Sequence, residues 1–230
     1  MKTKTFLGIA LFLALLVCAP DARASSIFNL DISNGCCGNG PYGTVQLFQN
    51  GPNEVDFQVN LDSGFDFVHG GQDGVFGFDL TVGGTPIVTV SADSINAGFS
   101  GTALGSAATH GEHMDGLGRF DFVITGDANH TDGASQPIGQ TLSFSVTDTS
   151  GISISNFLNN STGGGQASYF VADVWCTACT SQLTGFVGSD GVVQTGSANP
   201  PNAVPEPATL LGSGLGLLAF GMLRFKRKLK

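Results

Sequence analysis

Apolar and polar residues alternate with a two-residue period through much of this chain. Val55, Phe57, Val59 and Leu61 alternate with Asp56, Gln58 and Asn60. Phe76, Phe78, Leu80 and Val82 alternate with Gly77, Asp79 and Thr81, and Phe120, Phe122 and Ile124 with Asp121, Val123 and Thr125. That period predicts strands with one face in a core and one in water. Leu142-Phe144-Val146, Ile152-Ile154 and the run from Tyr169 to Trp175 add further strands. Turn signals fall between them: Asn50-Gly51, Ser63-Gly64, Gly70-Gly71, Gly83-Gly84, Asp132-Gly133 and Gly163-Gly164-Gly165. No stretch between Ser25 and Val204 carries a helical period. About nine to eleven short antiparallel strands predict an all-β fold, a two-sheet β-sandwich or jelly roll. Composition agrees, because 18 Phe against 2 Tyr and 1 Trp suit interior packing better than a wet stacking platform.

Two apolar runs have a different character. Phe6 to Val17 follows Lys2 and Lys4 and precedes Ala22-Arg23-Ala24, the order of a secretory signal peptide over residues 1–24, cut between Ala24 and Ser25. A lipoprotein reading at Cys18 fails because Val17 stands where a small residue is needed. At the other end, Val204-Pro205-Glu206-Pro207 leads into an apolar run from Ala208 to Leu223, and the chain closes on Arg224, Lys226, Arg227, Lys228 and Lys230. As a helix that run reaches only ~24 Å against a ~30 Å hydrocarbon core, enough to hold a membrane weakly. Basic clusters at both extremes keep both ends cytoplasmic and place the residues between them across the inner membrane. The expected order is therefore a signal peptide (1–24), a β-sandwich body (25–198), a Pro/Asn linker (199–203) and a tail (204–230).

The tail closely resembles the PEP-CTERM sorting signal of exported proteins of Gram-negative bacteria. In that family a proline-glutamate-proline motif, a short transmembrane helix and a basic tail are read by an exosortase. The resemblance implies that Val204, Pro205, Glu206 and Pro207 form the sorting motif and that the partners are an exosortase, signal peptidase and the general secretion machinery. It implies an inner-membrane intermediate followed by release to the cell surface or extracellular matrix. It assigns no site to the body, because the cargo domains of this family are varied.

Charge narrows the body's partners. From Ser25 to Val204 there are sixteen Asp and Glu against the single Arg119, a formal −15 compared with −9 for the whole chain. Such a field opposes nucleic acid, anionic lipid and uronic-acid polysaccharide, which require a cationic footprint. It suits solubility, or divalent cations held by oxygen ligands. Calcium ligands are sought at Asp62, Asp66 and Asp73, or at Asp127 and Asp132, though neither set has the twelve-residue calcium-loop pattern.

Four cysteines survive signal removal, Cys36 and Cys37 near one end of the body and Cys176 and Cys179 near the other. In an oxidising compartment all four are expected in disulfides. Crossed pairing is favoured, because adjacent closure strains the peptide and Cys176–Cys179 closes only a small loop, whereas a crossed bond ties the two ends together. A four-thiolate metal site and a redox Cys-x-x-Cys are the alternatives.

Hints of catalysis are confined to Thr109-His110-Gly111-Glu112-His113-Met114-Asp115. His110, Glu112 and His113 are candidate metal ligands, but the spacing is not the one-turn His-Glu-x-x-His of zinc hydrolases, and the glycines point to a solvated loop. No nucleophile elbow, phosphate-binding loop or dinucleotide fingerprint stands in a working context. The expectation is a non-enzymatic, exported, matrix-associated structural protein with no required cofactor and extracellular polysaccharide as a candidate partner. Three alternatives remain: a calcium-dependent glycan-binding module, a metal-dependent hydrolase using the His110/His113 loop, and an ice-binding surface protein, the last without a regular Thr-x-Thr ladder.

Overall fold

The computed structural model describes residues 24–70, 74–105, 111–180, 183–191 and 193–194. Its first strands are β1 (Ser25–Leu30), β2 (Ile32–Ser33), β3 (Gly43–Gln49), β4 (Glu54–Leu61), β5 (Phe65–Phe67), β6 (Phe76–Phe78) and β7 (Ile87–Val90). A short helix, α1 (Ala92–Ala97), leads to β8 (Phe99–Gly105), β9 (Glu112–Met114), β10 (Gly118–Phe120) and β11 (Phe122–Gly126). The remainder are β12 (Thr141–Thr147), β13 (Phe170–Cys176), β14 (Thr184–Gly188) and β15 (Val193–Gln194). Every pairing is antiparallel.

One sheet runs β15-β1-β3-β4-β12-β7, and a second runs β2-β14-β13-β6-β11-β8 with β5 also on β13. The alternation read in the sequence aims one side of each sheet at the other. Val55, Phe57, Val59 and Leu61 of β4 are buried, and so are Leu142, Phe144 and Val146 of β12. Phe57 brings its ring centroid to 5.6 Å from Phe78 and 6.0 Å from Phe170, and Phe144 lies 5.5 Å from Phe78. Phe28 meets Phe170 edge-on at 5.0 Å. Phenylalanines from both sheets thus make one core, with each well-oriented ring pair contributing ~0.5–1.5 kcal/mol beyond the area it buries.

The second sheet is covered on its other side too, which the sequence pattern did not predict. Val123, Val171 and Phe186 point away from the main core and pack with Met114, Leu117 and Phe120 of the β9–β10 hairpin in a smaller cluster. Gly77 permits this approach, since a Cβ there would stand 3.0 Å from Val171 Cγ1 and 3.1 Å from the Phe120 ring. Consequently Asp79 and Asp121, expected on a wet face, are buried. The Asp121 amide donates to Asp79 Oδ1 and the Leu80 amide to Asp121 Oδ2, both at 2.8 Å. These bonds explain how carboxylates are tolerated there.

Two local expectations also change. Ser91 caps α1 by accepting the Ser94 amide, and Gly98 ends the helix at φ 115°, so a helix of six residues sits where no helical period was visible. Ile152 and Ile154 do not form a strand; a 3-10 turn at Ile154–Phe157 carries Phe157 into the core beside Phe57.

The disulfides are local, Cys36–Cys37 and Cys176–Cys179, which overturns the crossed pairing. β13 ends at Cys176 and the chain turns at once, bringing the Cys179 Cα to 5.4 Å, within ordinary bridging range. The two bridges are nevertheless neighbours, with Cys179 Sγ 4.0 Å from the Cys37 carbonyl. The ends of the body are therefore held by packing rather than by a covalent tie.

Candidate functional site

The described part of the histidine segment holds a hairpin strand, Glu112–Met114, rather than the solvated loop expected. Glu112 and His113 are consecutive on β9 and so point to opposite sides, with His113 exposed and Met114 buried in the smaller cluster. Across the hairpin His113 is the partner of Arg119, whose Nη1 donates to the Gly111 carbonyl at 3.0 Å. The segment thus has a structural task, to seat Met114 and Leu117 on the second sheet. His110 lies outside the described residues, as does Asp73.

His130 meets a carboxylate, its Nδ1 lying 2.7 Å from Asp127 Oδ1. That contact, reinforced by the Asn129 amide, holds the Asp127 carboxyl below its usual range. Its contribution to stability is present above the ordinary carboxylate value and is lost as pH falls through the depressed one. The imidazole packs on Gly98, where a Cβ would stand 2.4 Å from the ring, and the Asp127 amide donates to the Gly98 carbonyl. The pair fastens the loop after β11 to the end of α1. Its i, i+3 spacing was the signal available in the sequence.

The acidic residues sit in different surroundings. Asp79, Asp121 and Asp173 are buried and accept backbone amides, the last from Gly70 at 3.0 Å. Asp62 and Asp132 are exposed and Asp66 is half-buried on β5. Asp31 and Asp190 stand side by side: burial and then the neighbouring Asp190 carboxylate raise the Asp31 carboxyl above its usual range. Among the described residues no group of three His, Cys, Asp or Glu side chains is close enough to hold a metal ion.

β1 opens at Ser25, the residue after the expected signal cleavage, and the carbonyl of Ala24 accepts the Gln49 amide. Val204, Pro205, Glu206 and Pro207 lie outside the described residues, together with the run from Ala208 to Leu223. Among the described residues no helix is long and apolar enough to cross a membrane. What decides the assignment is the tail's match, over residues 203–228, to the PEP-CTERM protein-sorting motif. The chain carries a PEP-CTERM protein-sorting motif. A PEP-CTERM motif implies processing by an exosortase, with export and targeting to the surface or exterior of the cell. The matched segment is a small fraction of the chain and leaves the role of the β-rich body unassigned. No curated protein and no solved structure matches this chain.

Proposed function

We propose that this protein is a non-catalytic component of the cell surface or extracellular polysaccharide matrix, built on a β-sandwich body. Its delivery uses the signal peptide to start export and the Ala208 to Leu223 run to halt the chain in the inner membrane. Pro205-Glu206-Pro207 is then left at the outer face, where the two prolines keep the backbone extended and Glu206 remains in water for the exosortase. The observation that carries this reading is the PEP-CTERM motif at residues 203–228. The body's charge supports it, since sixteen carboxylates and one arginine keep an exported domain soluble and away from anionic partners.

Intact-mass spectrometry of surface-extracted protein tests the pathway. The mature form is expected to begin at Ser25 and to lack the helix and the basic end, with cleavage at or just after the motif. Glu206→Ala is expected to leave an uncut form fixed in the inner membrane. A wild-type mass that still includes Phe225 to Lys230, in cells with an active exosortase, would show that the tail is a plain anchor.

A further inference from the structure

Three strands of the first sheet place Glu54, Thr147 and Ile87 in one cross-strand row, since Thr147 is the partner of Glu54 on β4 and of Ile87 on β7. Val55 and Val146 beside them point into the core, so the row faces outward. Around it the β3–β4 loop contributes Asn50, Pro52 and Asn53, and Thr85, Asp148 and Thr149 complete a cleft of about 230 Å³. Asp148 is unusual among the acids in this wall. It is only 2% exposed, its Oδ1 accepts the Ser150 amide at 2.7 Å, and its Oδ2 is buried with no hydrogen-bond partner. A buried carboxylate oxygen without a donor is costly, and such atoms in a folded chain call for an explanation. The carboxylate lies directly against Gly84, where a Cβ would stand 2.3 Å from Oδ1 and 2.6 Å from Oδ2, so a side chain at that position would have to displace it.

The lining decides what could supply the missing donor. It contains two carboxylates, two amides and three hydroxyls and no basic side chain, so an anion has nothing to pair with. Nearby backbone carbonyls are already engaged, that of Asn53 by the Asp148 amide and that of Glu54 by the Asn50 amide. Calcium is disfavoured because, among the described residues, no third carboxylate or imidazole joins Glu54 and Asp148 in a group that could hold a metal ion. Pro52 and Ile87, the latter 61% exposed, give the cleft an apolar side. We propose that this cleft binds a small organic primary ammonium, with N–H donors to Asp148 Oδ2 and the Glu54 carboxylate and the carbon frame against Pro52 and Ile87. The −15 body favours the approach of such a cation. Charge-assisted N–H donors satisfy a buried carboxylate best, and hydroxyls more weakly.

Nitrogen-15 amide NMR on the purified full-length protein reads the site directly. Glucosamine and n-butylammonium are titrated in parallel with the neutral glucose and n-butanol, and with calcium chloride, all at matched ionic strength. The two amines distinguish an amino sugar from an alkyl amine as the source of the ammonium. At least one is expected to shift the amides of Asn50–Glu54 and Thr147–Gly151 while both neutral compounds leave them in place. Asp148→Asn, which keeps the acceptor for the Ser150 amide, is expected to weaken the response at least tenfold, as is Glu54→Gln should the first variant fold poorly. No shift with either amine, equal shifts with the neutral compounds, or a larger shift of these amides with calcium would overturn the proposal.

Discussion

At the scale of single residues, the carboxylates show how one side chain type does different work in different surroundings. Asp121 and Asp79 are held by backbone amides in the interior, whereas Asp31 is pushed up by burial and by Asp190. A carboxyl raised in the folded state binds its proton more tightly there than in the unfolded chain. Its contribution is therefore favourable in acid and is lost as pH climbs from the ordinary carboxylate value through the raised one. At neutral pH the ionised Asp31 opposes folding. Asp31→Asn keeps an oxygen for the Asp190 amide and removes the repulsion. The variant is expected to melt higher by up to ~2–4 °C at pH 7, since a mostly exposed charge is worth at most ~1 kcal/mol, and to lose that advantage near pH 4. Calorimetry at the two pH values checks this, and a gain independent of pH would assign the effect to packing.

At the scale of elements, what matters is which segments are tied together and by what. Crossed disulfides spanning the body would constrain the unfolded chain by ~5 kcal/mol, whereas the four-residue loop closed by Cys176–Cys179 is worth only ~2 kcal/mol on the same entropic scale. The double variant Cys176→Ala, Cys179→Ala is therefore expected to lose about 2 kcal/mol in urea denaturation and still fold, because β13 is held by β5, β6 and β14. Non-reducing peptide mapping is expected to give the two local bridges, and a Cys36 or Cys37 peptide joined to Cys176 or Cys179 would contradict them. The β9–β10 hairpin makes the complementary point. His113 attracts notice in the sequence, yet the hairpin's buried Met114, Leu117 and Phe120 are what attach it to the second sheet.

At the scale of the whole molecule, the excess of acid over base is the dominant property of the body. Sixteen carboxylates with a single arginine to offset them repel one another, and the Asp31–Asp190 neighbours show the effect locally. Millimolar calcium and an ionic-strength-matched sodium salt are expected to raise the melting temperature to within ~1 °C of each other, because the described residues offer no carboxylate cluster for ligation and leave general screening as the common effect. Equal shifts with the two salts would leave the acids a purely solubilising role, and a larger shift with calcium would contradict it.

The sequence by itself determined the sorting motif and the strand periods of β4 and β12, because these depend on residues within one short segment. The order Val204-Pro205-Glu206-Pro207, apolar run and basic end is read without any fold, and Val55, Phe57, Val59 and Leu61 select one face by simple alternation. Tertiary structure decided everything that depends on a second surface. The period at Phe120–Ile124 cannot say that a hairpin will cover the opposite face, so Asp79 and Asp121 became interior groups. Disulfide partners depend on where β13 turns, which the spacing of cysteines does not encode. The cleft at Asp148 arises because β4, β12 and β7 lie side by side and bring three distant loops to one end of a sheet.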